Sequence, residues 1–151
     1  MKVHIYSRKE IQELLLTDVL KNVAVISFYD PKAKCTNKEY KSVDYSGKTD
    51  RVFEIPLYDI DLSEFEEFGL TYDTFFPEVD RVAEFIYQAK EEGLDIICQC
   101  EYGESRSSGC AAAILEHFYK KGILVFADYR YYPNRVVYHK VYEALENLKK
   151  E

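Results

Sequence analysis

One short segment of the sequence carries a thiol and a guanidinium at a spacing that suits chemistry on a bound anion. Cys100 stands at its start and Arg106 near its end, and Ser107 follows directly. A thiolate is a strong nucleophile, and a planar guanidinium can bind two oxygens of one phosphate group. These residue types at this spacing indicate phosphoryl transfer.

The flanking residues predict a strand, a tight loop and a helix, in that order. Residues 94–99 form an apolar run typical of a buried strand, and the small apolar residues of 108–115 suit a packed helix. Gly103 lies in the middle of the loop, where the backbone must bend closely around a ligand. A loop that leads into a helix N-terminus directs several N–H groups at one spot, and this spot favours an oxyanion.

Strands and helices alternate along the rest of the chain. This pattern predicts a single α/β domain over residues 1–151, with a central, mainly parallel sheet of four to five strands and helices on both faces. Ligands of such sheets bind beyond the carboxyl ends of the strands, where the Cys100 loop lies. Strands are predicted at about 3–6, 23–28, 52–57 and 94–99, and helices at about 8–16, from Thr74 to Gly93, 107–121 and from Pro133 onward.

Composition and charge restrict the possible functions. A net charge of −7 argues against a nucleic-acid-binding surface, which needs clustered Lys and Arg. No apolar run is long enough for a transmembrane helix, and the first residues lack the apolar core of a signal peptide. The four Cys do not suggest a disulfide framework, so we expect a reducing, cytoplasmic location. The three widely spread His and the lack of a Cys-x-x-Cys pair predict no metal site and no cofactor.

The most polar part of the chain lies between residues 30 and 50 and carries five lysines. We expect an exposed connection there, in which Cys35 would be an exposed thiol. The alternative is a rim that contacts an anionic substrate.

The segment from Cys100 to Ser107 resembles the signature loop of the cysteine-dependent protein tyrosine phosphatases, most closely that of the small dual-specificity branch. Two further segments extend the resemblance. Residues 55–59, Ile-Pro-Leu-Tyr-Asp, resemble the strand end that carries the family's general acid, and Pro133-Asn134 resembles the start of its last core helix. The likeness covers roughly residues 52–148.

The resemblance implies a role for each residue of the loop. Cys100 would attack phosphorus and form a cysteinyl-phosphate intermediate, and Arg106 would bind two phosphate oxygens. Ser107 would stabilise the sulfur as the leaving group of the second step. Backbone N–H groups would bind the remaining phosphate oxygens, and they come from Glu101, Tyr102, Gly103, Glu104, Ser105 and Arg106.

The family also uses an aspartate that protonates the leaving group and then activates water. The match to the strand end assigns this role to Asp59. Asp61, two residues further on, is the alternative acid. The distance in sequence from Asp59 to Cys100 is longer than in most small relatives, so we expect an insertion around residues 62–72.

The chain departs from the family pattern directly before the nucleophile, where Gln99 stands in place of the usual His. That His helps to order the loop, so activity could be reduced, although Gln can still donate hydrogen bonds. Glu101 and Glu104 should repel highly phosphorylated ligands. The sequence therefore favours a phosphorylated protein, or a small phosphate monoester, as the partner, with no nucleic acid and no membrane; it does not indicate an oligomeric state.

Three functions remain open on the sequence alone. The first is a metal-independent phosphatase that acts on phosphotyrosine, phosphoserine or phosphothreonine. The second is a catalytically impaired module that binds phosphorylated ligands. The third is another thiol enzyme, such as a sulfurtransferase or an arsenate reductase. Cys98 has two possible roles, as a buried structural residue or as a resolving thiol that forms a disulfide with Cys100.

Overall fold

A parallel sheet of four strands forms the centre of the computed structural model, which describes residues 1–17, 20–31, 42–49 and 51–150. The strands are β1 (Val3–Ser7), β2 (Val23–Tyr29), β3 (Val52–Pro56) and β4 (Asp95–Cys100). Their spatial order is β1-β4-β2-β3, and all three strand pairs are parallel. β4 is therefore an inner strand, and Pro56 ends an edge strand, where a residue without an N–H group is tolerated.

Five helices of the described residues accompany the sheet, and they confirm the predicted α/β class. They are α1 (Arg8–Thr17), α2 (Val79–Glu91), α3 (Arg106–Tyr119), α4 (Ile123–Phe126) and α5 (Arg135–Lys149). Two short 3₁₀ turns, Leu62–Glu64 and Glu66–Phe68, lie in the connection that leads from β3 to α2. No helix of the described residues is long and apolar enough to cross a membrane.

The two faces of the sheet are covered by different parts of the chain. Along β4, Ile96, Cys98 and Cys100 belong to the larger apolar core, which also contains residues of α2, α3 and α5. Ile97 belongs to a smaller core that includes residues of α1 together with Val43 and Tyr45. Since side chains alternate along a strand, Gln99 lies on the face opposite Cys100.

The prediction of an exposed connection between residues 30 and 50 is wrong for Val43 and Tyr45, because both side chains are buried under the sheet. Both side chains complete the smaller core, which α1 alone does not cover. Residues 32–41 lie outside the described residues; they include four of the five lysines and Cys35. The predicted exposed thiol and most of the alternative anion-binding rim fall in this segment.

One helix boundary differs from the prediction. α2 begins at Val79 rather than near Thr74, because Phe76 has a left-handed backbone (φ 66°) that a helix cannot contain. Thr74 instead exchanges hydrogen bonds with Thr71 and closes a turn. By contrast, the helix predicted at about 8–16 is confirmed. A capping box begins it, since the side chains of Ser7 and Glu10 each accept from the other's backbone N–H over 3.0 Å.

Candidate active site

The loop of residues 101–105 joins β4 to α3 at the carboxyl edge of the sheet, as the sequence predicts. Gly103 is essential to its shape for two reasons. Its backbone is left-handed (φ 68°), and a Cβ atom would lie 2.6 Å from the Ser7 backbone nitrogen. The loop therefore packs directly on the end of β1, and only glycine allows this approach.

Carbonyl groups of the loop are bound on its outer side. Glu101 O accepts from the Arg8 N–H, Glu104 O accepts from the Tyr132 N–H, and Ser105 O accepts from the Asn134 N–H. Within the described part of the chain, the N–H groups of residues 101–105 donate to no protein acceptor. Such a set of backbone N–H groups at a helix N-terminus is suited to binding an oxyanion.

Cys100 and Ser107 lie together at the two ends of the loop. The Cys100 Sγ and the Ser107 Oγ are 3.0 Å apart, and both residues are buried. The serine hydroxyl is thus placed to donate to a thiolate or to a sulfur leaving group. This is the contact that the proposed role of Ser107 requires.

Arg106, the first residue of α3, is only 3% exposed, and its guanidinium lies at the ends of β2 and β3. Its Nη1 donates to Asp30 Oδ1 over 2.8 Å and to the Leu57 carbonyl over 2.7 Å. Its Nε is buried and has no hydrogen-bond partner among the described residues. A buried donor without a partner is costly, so this N–H is a group that an oxyanion at the loop could satisfy.

The two candidate acids differ clearly in their surroundings. Asp59 Oδ1 accepts from Ser105 Oγ over 2.6 Å and from Asn134 Nδ2 over 3.0 Å, so it is joined to the loop. Asp61 Oδ1 accepts from the Ser63 N–H over 2.9 Å and caps the first 3₁₀ turn. Asp59 is therefore the acid that contacts the loop. Both acids line one open cleft of about 400 Å³, whose other lining residues are Ile60, Glu64, Ser105, Pro133, Asn134 and Arg135.

Asn134 connects the start of α5 to the site. Its Oδ1 accepts from the N–H groups of Val136 and Val137, which is the predicted helix cap. Its Nδ2 donates to Asp59 and, over 2.9 Å, to the Ile60 carbonyl. One amide group thus fixes both the last helix and the segment that carries Asp59.

Gln99 forms a hydrogen-bond network at the position where the family has His. Its Nε2 donates to the Cys100 carbonyl over 3.0 Å, and its Oε1 accepts from Tyr45 Oη over 2.8 Å and from Ser27 Oγ over 2.5 Å. Burial raises the pKa of the Tyr45 phenol above its ordinary value, so the hydroxyl remains a donor at neutral pH. All polar groups of the Gln99 side chain are therefore satisfied, and they hold the peptide that carries the candidate nucleophile.

Cys98 and Cys110 lie beneath Cys100, and all three are free thiols. A hydrogen bond with Cys110 and complete burial raise the pKa of the Cys98 thiol well above its usual range. Cys98 is therefore held as a neutral thiol in the core. No group of three or more His, Cys, Asp or Glu among the residues that the structure describes is arranged to hold a metal ion.

Two residues of this arrangement, Asp30 and Tyr45, are not predicted by the sequence. Both lie in the segment of residues 30–50, where the sequence predicts an exposed connection. Neither belongs to a local motif. Asp30 reaches Arg106 because β2 and β4 are paired, and Tyr45 reaches Gln99 from the irregular segment before β3. A clue for Tyr45 was Gln99 itself, since a buried amide needs partners.

Comparisons with known proteins support the fold through structure alone. No protein-family model matches the chain, and a sequence search of curated proteins finds no match. Among solved structures, human DUSP28 is 13% identical and aligns with a TM-score of 0.57 over 98% of this chain and 94% of its own. PTPMT1 in complex with PI(5)P is 13% identical, with a TM-score of 0.56 over 99% of this chain and 93% of its own.

A third similar structure is the human tyrosine phosphatase-like serine/threonine/tyrosine-interacting protein. It is 13% identical and aligns with a TM-score of 0.54 over 96% of this chain and 87% of its own. All three alignments span nearly the whole parallel sheet and its helices, at identities that speak for the fold and not for a shared activity. The chain therefore has the protein tyrosine phosphatase fold that these structures share.

Proposed function

We propose that the protein hydrolyses phosphate monoesters through a cysteinyl-phosphate intermediate. The observation that carries the proposal is the buried Arg106 Nε, which has no partner among the described residues and belongs to the same loop as Cys100. A cation that is buried beside a nucleophile and keeps a free donor is suited to a phosphate dianion. Arg106 and the contact of Asp59 with this loop fit a phosphate monoester better than sulfur transfer.

The first chemical step uses residues from three elements. The Cys100 thiolate attacks phosphorus, a new S–P bond forms, and the P–O bond to the leaving group breaks. Asp59 gives its proton to the departing oxygen. The N–H groups of the loop and Arg106 bind the other phosphate oxygens, where negative charge must be stabilised in the transition state.

The second step regenerates the enzyme. Water attacks phosphorus, the S–P bond breaks, and inorganic phosphate leaves. Asp59 accepts the proton of the attacking water, and Ser107 donates a hydrogen bond to the departing thiolate. Every charge in the two steps has a partner within the chain, so the proposed mechanism uses no metal ion and no cofactor.

The charges around the loop favour a phosphorylated protein as the substrate, with phosphotyrosine, phosphoserine or phosphothreonine as the reacting group. Glu104 is exposed, and the half-buried Glu101 lies 4.0 Å from Arg8, a separation at which an ion pair is weak. Two carboxylates at the loop oppose ligands with several phosphate groups. The complex of PTPMT1 with PI(5)P makes a phosphoinositide the natural comparison substrate. We place the protein in a reducing compartment such as the cytoplasm, which suits the three free thiols among the described residues.

The test is hydrolysis of p-nitrophenyl phosphate in the presence of EDTA. We expect turnover that is unaffected by the chelator and abolished by Cys100→Ser, while that variant still binds tungstate in calorimetry. A panel of phosphopeptides with an added phosphoinositide then separates the substrate classes. Turnover that survives Cys100→Ser, or that requires a metal ion, would contradict the proposal.

A second candidate function is a module that binds phosphorylated ligands without turning them over. The observation that favours it is Gln99, which stands where the family has His. The neutral Gln99 amide donates to the Cys100 carbonyl. One structural neighbour is named as a phosphatase-like interacting protein, so the fold also occurs in proteins described by their interactions. Tungstate or phosphopeptide binding by the wild type without measurable turnover would favour this function.

A further inference from the structure

We propose that Asp30 is a positioning residue that orients the Arg106 guanidinium for phosphate. This inference rests on the proposed function, because it concerns the same anion site. Asp30 is the residue directly after β2 and lies far from the Cys100 loop in sequence. Its carboxylate Oδ1 nevertheless accepts a hydrogen bond of 2.8 Å from Arg106 Nη1.

The geometry of the guanidinium shows what this contact does. Nη1 has two protons, and both are used, one by Asp30 and one by the Leu57 carbonyl. Two fixed acceptors at one nitrogen fix the plane of the whole group, because the guanidinium is rigid and planar. Because both Nη1 protons are used, only the edge formed by Nε and Nη2 has N–H groups for a ligand. That edge includes the buried Nε, which has no partner among the described residues.

The fold holds the two acceptors at a fixed separation. Asp30 follows β2 and Leu57 follows β3, and these two strands are paired in parallel. The pairing continues to the residues in question, since the Leu57 N–H donates to the Tyr29 carbonyl over 3.0 Å. Arg106 is thus anchored by neighbouring strand ends of the sheet rather than by its own loop.

A carboxylate beside an anion site could also act in the opposite way, by repelling the ligand. Two observations favour positioning. The Asp30 side chain is 42% exposed, so water screens its charge, whereas the Arg106 side chain is only 4% exposed. A buried guanidinium also needs a compensating partner to remain buried. Positioning predicts weaker anion binding when Asp30 is removed, and repulsion predicts tighter binding.

The test is tungstate binding by calorimetry in the Cys100→Ser protein, which separates binding from catalysis. We expect Asp30→Ala to weaken tungstate affinity about tenfold, which corresponds to the loss of one charge-assisted hydrogen bond. Asp30→Asn keeps an acceptor and should stay within about threefold of the parent. Glu67→Ala makes the same change of net charge at an exposed residue and should leave the affinity unchanged. Unchanged or tighter binding by Asp30→Ala would overturn the proposal.

A double-mutant cycle distinguishes positioning from a general effect on the fold. In an Arg106→Ala background, Asp30→Ala should have no further effect on tungstate binding, because there is no guanidinium to orient. An equal loss in both backgrounds would show that Asp30 acts elsewhere. Thermal unfolding of each variant establishes that it is folded, and the Asn variant provides the same comparison if the Ala variant is not.

The readouts keep this inference separate from the proposed function. If the wild type hydrolyses no phosphate ester but Asp30→Ala still weakens tungstate binding, the catalytic proposal fails and the positioning role stands. If the wild type is active and Asp30→Ala binds tungstate normally, only the positioning role fails. In an active enzyme, Asp30→Ala should lower kcat/KM by at least the factor lost in binding.

Discussion

Ser105 Oγ donates a hydrogen bond of 2.6 Å to Asp59 Oδ1, so the Cys100 loop directly holds the candidate general acid. Asn134 Nδ2 donates to the same oxygen over 3.0 Å. Both contacts use Oδ1, which leaves the second carboxylate oxygen as the one that can carry a proton to a leaving group. The acid is therefore oriented before any substrate binds.

Asp59→Asn provides the sharpest test of this role. The amide can still accept from Ser105 and Asn134, but it cannot transfer a proton. We expect kcat for a poor leaving group such as phenol to fall about 100-fold or more, and kcat for p-nitrophenol to fall much less. Steady-state kinetics on the two substrates measures the difference.

Asp61→Asn is the matched control, because Asp61 caps a 3₁₀ turn and has no described contact with the loop. It should affect stability slightly and should not change the dependence on the leaving group. If Asp61→Asn shows the strong dependence instead, the acid is Asp61 and our assignment of Asp59 is wrong.

Ser107→Ala should slow the second chemical step more than the first. The Ser107 hydroxyl lies 3.0 Å from the Cys100 sulfur, where it can stabilise the departing thiolate. A hydrogen bond to a charged group contributes about 1.5–3 kcal/mol, so its loss should slow the second step about 10- to 100-fold. Rapid mixing should then show a burst of p-nitrophenol that is larger than the wild-type burst. A slower first step without a burst would contradict this role.

The Gln99 network makes a prediction about stability and order. Gln99→Leu would leave the Cys100 carbonyl and the hydroxyl groups of Tyr45 and Ser27 without their partner. Unsatisfied buried groups cost about 1–3 kcal/mol each, so for three such groups we expect the free energy of unfolding to fall by about 3 kcal/mol or more. Tyr45→Phe removes one partner only and should cost about 1 kcal/mol. Urea unfolding of both variants checks the order; a larger effect of Tyr45→Phe would contradict the central place of Gln99.

Gly103 and Gly69 offer a matched pair for the close approach of the loop to β1. Both are left-handed, with φ of 68° and 69°, but only Gly103 has backbone atoms where a Cβ would lie. Each Gly→Ala change should cost about 1–2 kcal/mol for the left-handed conformation. Gly103→Ala should cost more and should also weaken tungstate binding. Equal losses of unfolding free energy would show that the contact with Ser7 is easily relieved.

Acid should destabilise the protein partly through Glu146. The buried His117 lies between Glu146 and Tyr87, and its Nδ1 must be the donor to Glu146, because a carboxylate only accepts. This hydrogen bond lowers the pKa of Glu146 in the folded state. A lowered folded pKa gives stability that is present above the ordinary Glu value of about 4.3 and is lost as the pH falls below it.

The variant Glu146→Gln removes this titration while it keeps an acceptor. We expect its unfolding free energy to fall less than that of the wild type between pH 6 and pH 3, measured by urea unfolding. Glu91→Gln, at an exposed residue of α2, is the control and should follow the wild-type curve. Identical curves for Glu146→Gln and the wild type would rule out a contribution from the His117 contact.

The local chemistry of the loop was predictable, and the support from distant residues was not. Gly103, Asn134 and the strand–loop–helix order around Cys100 are local patterns with physical causes, and the structure has all of them. Asp30 and the Leu57 carbonyl contact Arg106 only because β2 and β3 are paired. That pairing is a property of the whole sheet and leaves no trace at a fixed sequence spacing.

Two other differences have local causes that outweighed the sequence pattern. The helix expected from Thr74 begins five residues later because Phe76 is left-handed and buried, a tertiary preference that overrides the capping signal. His117, on a helix whose sequence does not indicate burial of this residue, is buried between Tyr87 and Glu146. A single histidine on an amphipathic helix does not reveal that two neighbouring helices supply partners for both of its ring nitrogens.

The outer carbonyls of the loop are bound by Arg8, Tyr132 and Asn134, which belong to segments that are distant from the loop in sequence. The proposed anion site would therefore form only when those segments have docked, and it would not exist in a partly folded chain. Occupancy of the site must then report on folding of the whole domain. By mass action, an oxyanion at 100 times its Kd should raise the free energy of unfolding by about 2.7 kcal/mol. Substrates or inhibitors that bind this loop would therefore also stabilise the folded protein.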